Sequence, residues 1–246
     1  MLTTPAQPKP WSALQSPASL VGQSPDGRVH LQGVRWDIVN NADGSTQELG
    51  VFGDAFVTPE AVQDVYLGIE PFSDKPGGQP GHAQLHFKFR PEAPVTDGQG
   101  HSDSGLVLSV EPRFYQGEPW TPGGQEPQPV LYQLGTWTDS IEKVTLHNHY
   151  PLELYRLELN QQQKISLLKE RLQVSGQDHS KDIYHPVTNS CISSLIEGVN
   201  KVVPAEQKIP RTDPNCTIPV WCPKSFKKYK LLQKTKPDIA YPEQPK

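Results

Sequence analysis

Gly81-His82-Ala83-Gln84-Leu85-His86-Phe87-Lys88-Phe89-Arg90 is the stretch on which the fold turns. Ala83, Leu85, Phe87 and Phe89 alternate with His82, Gln84, His86 and Lys88. A period of two marks a half-buried β-strand with one apolar and one polar face. A polar loop, 91–104, leads to a second such stretch, GLVLSVEPR at 105–113. There Leu106, Leu108 and Val110 share one face, and Ser109 and Glu111 the other. Paired antiparallel in a register near Gln84–Glu111, the two strands bring Glu111 close to His82 on a common polar face.

Outward from this pair, residues 29–56 read as strands broken by a turn at Asn40-Asn41-Ala42-Asp43-Gly44. Residues 72–81 read as a loop, and 114–129 as a surface excursion rich in Pro, Gly and Trp. LYQLGTW (131–137) and EKVTLHNHY (142–150) read as two more strands. Beyond Pro151 the period lengthens. Leu157, Ile165, Leu168 and Leu172 fit a helix from about Glu158 to Val174. A second helix begins near Ser190, with Ile192, Leu195, Ile196 and Val199 at i, i+3, i+4 and i+7. Thr188, Asn189 and Ser190 precede it as N-cap types. The class is therefore α+β: an antiparallel sheet packed on helices. Three segments follow: a Pro/Ser/Gln-rich flexible leader (1–27), a domain (28–203) and a Pro/Lys-rich tail (204–246).

Composition narrows the function. The 246 residues carry 23 Lys and Arg against 27 Asp and Glu, a net charge of −4. Mild acidity argues against a dedicated nucleic-acid binder. No run approaches the ~18 apolar residues of a membrane-spanning helix, and the first residues do not read as a signal peptide. The 26 prolines favour loops and edge strands over long helices. The tail holds nine Lys and Arg against four Asp and Glu, so its charge opposes that of the rest. It can bind an anionic surface or a partner protein, or lie as a strap across the acidic domain. Cys216 and Cys222 fit either a small-loop disulfide or two free thiols, and with Cys191 the only other cysteine a four-thiolate zinc site is excluded. His147 and His149, with His101 or His185, are a weak metal set, and ordinary surface histidines are the preferred reading. No phosphate-cradling glycine loop and no Gly-x-Ser-x-Gly elbow occurs, and no cofactor is called for.

Cys191 is the candidate nucleophile, placed in the first turn of the second helix. Free N–H groups and the helix dipole at such a position stabilise a thiolate and, later, an oxyanion. Composition alone favours a structural thiol on an amphipathic helix. The chemical reading needs a base, and His82 has the best context, with Glu111, Gln84 and His86 each able to orient it.

Taken in order, Pro80-Gly81-His82, Ser109-Val110-Glu111-Pro112-Arg113 and Tyr184 to Cys191 resemble the Lnb-type N-terminal periplasmic domain family. Residues 33–39 (GVRWDIV) resemble its entry strand less closely, and the likeness covers roughly residues 29–200. The chain departs from the family pattern at His185, Ser190 and Ile192. The resemblance implies a circularly permuted papain-like fold, with the base strand early and the nucleophile helix late. It implies thiol-dependent acyl hydrolysis or transfer on bacterial envelope material: a lipid, a lipoprotein or peptidoglycan. Cys191 would attack, His82 would move the proton, and Glu111 would orient His82. Asn189, Tyr184 and Gln84 would shape the oxyanion hole or position substrate. The location implied is extracytoplasmic, reached with a signal removed or by another route. Two alternatives stand beside it: a peptidoglycan amidase delivered as a toxin, and a non-catalytic binding module of the same fold.

Overall fold

The computed structural model of the protein describes residues 9–40, 48–72, 80–117, 127–232 and 237–240. The strands are β1 (Ser19–Gln23), β2 (Val29–Asn40), β3 (Glu48–Val57), β4 (Val62–Pro71), β5 (Gly81–Phe89), β6 (Val95–Thr96), β7 (Ser102–Asp103), β8 (Gly105–Pro112), β9 (Val130–Thr136), β10 (Leu152–Arg156) and β11 (Asp238–Ala240). The helices are α1 (Trp137–Glu142), α2 (Gln161–Ser175), α3 (Cys191–Val202) and α4 (Cys222–Lys228). The fold is mixed α+β. Its strands form one curled sheet in the order β11-β10-β4-β5-β8-β9-β2-β3-β6-β7, with β1 added to β2. Every pairing is antiparallel except β2 with β9.

The period-two reading of 81–90 and 105–113 holds: β5 and β8 pair antiparallel at the centre of the sheet. The register differs from the expected one by two residues. Gln84 stands opposite Ser109, not Glu111, so one further step sets Glu111 beside His82 itself. The alternation also sorts the layers. Ala83, Leu85, Phe87 and Phe89, with Leu106, Leu108 and Val110, join a core built with Leu167, Leu168, Ile192 and Leu195 from α2 and α3. Such apolar burial is the main favourable term in folding.

The opposite face was expected to be the wetter one. It is covered instead by α1 and by a π-helical turn, Lys143–His147, which replaces the strand expected over 142–150. Thr136 caps α1 by accepting the Asp139 N–H. Arg35 of β2 anchors the helix from below with a fork onto Asp139 at 2.8 and 3.0 Å, both groups buried. Two glycines permit the close approach. A Cβ at Gly135 would stand 2.6 Å from Asp139, and one at Gly68 would stand 2.5 Å from the His86 ring. His86, Gln84 and Ser109 are consequently buried polar groups, not solvent-facing ones.

The leader and the tail also differ from expectation. From residue 9 onward the leader is built into the fold: Trp11 stacks on Tyr115 at 4.2 Å, Ala13 accepts a hydrogen bond from Gly50, and β1 lengthens the sheet. The tail's apolar residues Cys222, Phe226, Leu231 and Leu232 enter the same core as the sheet. Cys216 and Cys222 are free thiols. The first predicted helix starts three residues late, at Gln161, where Asn160 and Gln163 form a capping box. Leu157, counted in its apolar period, is instead bridged to Leu232. The expected turn at 41–44, most of the 72–81 loop and residues 118–126 of the excursion lie outside the described residues. Among the described residues, no helix is long and apolar enough to cross a membrane.

Candidate functional site

The site lies at the end of β5 that carries His82. Glu70 of β4 stands directly across from His82, and Glu111 of β8 flanks it on the other side. These three, with Lys143, Asn148 and Tyr184, line a cavity of about 460 Å³. Its apolar walls include Leu14, Phe72, Phe114, Tyr115 and Tyr150. An apolar cleft with a few convergent polar groups is the usual form of a ligand site.

His82 and Glu111 are not in direct contact. Ser109 stands between them, with its Oγ 2.6 Å from His82 Nε2 and 2.8 Å from Glu111 Oε1. Proton counting then fixes the tautomer. Burial disfavours ionisation of Glu111, but Lys143, His82, the Ser109 hydrogen bond and Arg35 together hold its carboxyl well below the usual carboxylate range. An ionised carboxylate only accepts, so the Ser109 hydroxyl donates to it. Ser109 Oγ must then accept from His82, which puts the imidazole proton on Nε2 and leaves a lone pair on Nδ1. Burial, helped by Lys143 and opposed by Glu111, pushes His82 down to about 4, so the ring is neutral near pH 7. The arrangement is an imidazole held by a carboxylate through a hydroxyl. Ser109 was read only as a polar-face residue. Once the register is known, its place between His82 and Glu111 follows from the strand period.

Two further groups bear on Glu111. Lys143 Nζ lies 3.4 Å from Oε1, and Gln15 Nε2 donates to Oε2 at 3.1 Å. Neither was foreseen, because one comes from the expected strand at 142–150 and the other from the expected flexible leader. Glu70 behaves in the opposite way to Glu111. Burial raises its pKa, and Lys143 together with a 2.7 Å hydrogen bond from Asn148 only partly offsets this.

Cys191 opens α3 as expected. Ser190 is the N-cap: its hydroxyl accepts the Ser193 N–H, and the Ser193 hydroxyl accepts the Ser190 N–H in return. The buried sulfur accepts a hydrogen bond from the Tyr184 hydroxyl at 4.0 Å, and the nearby backbone of Ala83 and Ile192 favours its ionised form. Burial nevertheless raises the thiol, and Glu111 adds to the rise. The helix packs on the Ala83 face of β5, whereas the His82 side chain lies on the other face. Cys191 accordingly sits behind the cavity, and Tyr184 lines the cavity beside it. Among the described residues, no hydrogen bond joins Cys191 to His82.

The remaining sequence candidates divide. Tyr184 belongs to the site. Gln84 is two residues deeper, where its carboxamide oxygen meets His86 Nε2 at 3.1 Å beneath α1. Asn189 does not reach the cavity. It braces its own turn, donating to the Ile183 carbonyl at 2.9 Å. His147 and His101 are engaged by Glu48 and Asp97 respectively and do not converge. In comparisons with known proteins, no family model, no curated protein and no solved structure matches the chain.

Proposed function

We propose that the protein is a cysteine-dependent acyl hydrolase or acyltransferase acting on an amide or ester of envelope material. The observation that carries this reading is the seating of the α3 N-terminus on the histidine strand. The Cys191 sulfur lies against the backbone of Ala83, the residue that follows His82. His82, in turn, keeps Nδ1 free because Nε2 is committed to Ser109.

In this reading the His82 Nδ1 removes the thiol proton as the sulfur attacks the acyl carbon. The Cys191 N–H lies in the first turn of α3, where no intrahelical acceptor exists; it meets the Tyr184 hydroxyl in the resting protein and in this reading turns to the oxyanion. His82 then protonates the leaving group, and the thioester passes to water or to a second acceptor. The resting thiol and imidazole are both neutral and, among the described residues, not hydrogen-bonded to each other. Catalytic hydrogen bonds often tighten only in the complex with substrate. The order of the elements, histidine strand early and nucleophile helix late, fits the permuted papain-like arrangement implied by the likeness to the Lnb-type family. The extracytoplasmic location rests on that likeness.

A panel of lipopeptide, phospholipid and peptidoglycan-peptide substrates, read by product mass, tests the proposal. Cys191→Ala should abolish turnover, and His82→Ala should lower it by about 100-fold or more. Full activity in either variant would overturn it. A second reading, a binding module of the same fold, is favoured by one observation: Cys191 does not line the cavity. Ligand binding there, unchanged in Cys191→Ala and without turnover, would support it.

A further inference from the structure

The segment 10–16 is tied to the site by several contacts. Ser12 N–H donates to the Phe114 carbonyl at 2.9 Å, and Gln116 N–H donates to the Pro10 carbonyl at 2.8 Å. Trp11 lies between the Tyr115 ring and the Arg113 guanidinium, the latter 4.4 Å from its ring centre. Arg35, which also holds α1, donates to the Leu14 carbonyl at 3.1 Å. These contacts deliver Gln15 to Glu111. Its carboxamide is fully used: Nε2 donates to Glu111 Oε2 and to the Pro112 carbonyl, both at 3.1 Å, and Oε1 accepts the Phe114 N–H at 2.8 Å.

We infer that Gln15 is a positioning residue for the Glu111 carboxylate, so that the site is complete only when the segment 10–16 is seated. Glu111 Oε1 receives Ser109 and Lys143, whereas Oε2 receives Gln15. Without Gln15 the carboxylate is free to turn about its last bond, and Ser109 loses a fixed acceptor. The hydroxyl then no longer has to accept from His82 Nε2, and the tautomer that frees Nδ1 is no longer enforced. A hydrogen bond to a buried charge is roughly twice as strong as a neutral one, enough to govern that choice. By linkage the effect is reciprocal: Glu111 must also help to seat the segment.

The inference rests on the reading of His82 as the base, but its test does not depend on turnover. In full-length Gln15→Met the side-chain length is kept and both donors are lost. Carbon-13 NMR of the Glu111 carboxyl should show proton affinity raised by about tenfold or more. Nitrogen-15 shifts of His82 should show Nε2–H in the parent and a mixture of tautomers in the variant. A residue that only packs would move neither. Unchanged carboxyl titration and an unchanged tautomer would overturn the inference.

If Gln15→Met does not fold, Glu111→Ala decides the matter from the other side. The Phe114 amide, sheltered by Gln15, should exchange its hydrogen about tenfold faster or more, and unaltered protection would contradict the inference. NMR shifts as expected in a protein that never acylates Cys191 would leave Gln15 its role and sink the hydrolase reading alone.

Discussion

The two faces of β5 are made by the same nine residues and are packed by opposite rules. On one face Leu85, Phe87 and Phe89 meet α2 and α3 through apolar contact. On the other, Gln84 and His86 lie under α1 with the Arg35–Asp139 pair, and His82 and Glu111 open onto the cavity on either side of Ser109. Apolar burial is nondirectional and tolerates small errors. A buried polar layer must satisfy every donor and acceptor or lose the cost of desolvation. The apolar face therefore carries stability, and the polar face carries geometry. The Cys191 thiol lies on the first side and its proposed partner, His82, on the second.

The contrast is sharpened most by truncating the apolar face. Phe87→Ala should lose about 3–5 kcal/mol in chemical denaturation and leave the shape of the pH dependence alone. A loss below about 1 kcal/mol would break the division. On the polar face, Gly68→Ala pushes a methyl group into the His86 ring, and overpacking of this kind costs about 1–3 kcal/mol. Unchanged stability there would mean that α1 rides loosely on the sheet. Ser109→Ala removes the hydroxyl between His82 and Glu111 and should cost about 1–3 kcal/mol. Its distinguishing mark is a change of the His82 tautomer by NMR, which a purely apolar truncation would not produce.

Acid separates the faces further. His82 and His86 are held neutral by burial, at about 4 and about 3. The unfolded chain takes up their protons near pH ~6.5. Between that value and about 4 the unfolded state binds more protons, so stability is full above pH ~6.5 and falls as pH drops through this window. Denaturation midpoints that stay flat down to pH ~4.5, falling only where ordinary carboxylates titrate, would contradict a neutral histidine pair. The smallest effect belongs to Glu70, whose raised pKa works the other way. Its protonated form is favoured by folding, so its contribution fades as pH rises through the folded value. Glu70→Gln should be neutral to slightly stabilising at pH 8 relative to pH 5. A clear loss at pH 8 would show that the ionised carboxylate is needed.

The same contrast explains what was legible in the sequence. The apolar face of β5 and β8 could be read because a period of two has a local cause. Ser190 and Cys191 could be read because a helix start is set by its own cap. The chemistry of a helix-start thiol and the polar faces of two paired strands drew His82, Glu111 and Cys191 together, and two of the three line the cavity. Ser109 stayed unseen as a relay because a two-residue error in register moves Glu111 from one neighbour to the next. KVTLH has strand-like residues, so the sequence puts Lys143 on a strand, and the capped α1 running into it overrides that propensity. Gln15 had no local signal. A Pro/Ser/Gln-rich run looks flexible until distant partners, here Phe114 and Glu111, give its backbone and carboxamide somewhere to bond.

The central claim is that the Cys191 thiol on one face of the strand is deprotonated by His82 on the other. Its most direct measurement is acetylation by a p-nitrophenyl ester, read by intact mass with Cys216→Ser and Cys222→Ser in place. The account predicts one acetyl group on Cys191, formed about 100-fold or more slowly once His82→Ala is added. Acetylation at the same rate with and without His82 would contradict it, and Cys191 would then be a structural thiol at the start of a core helix.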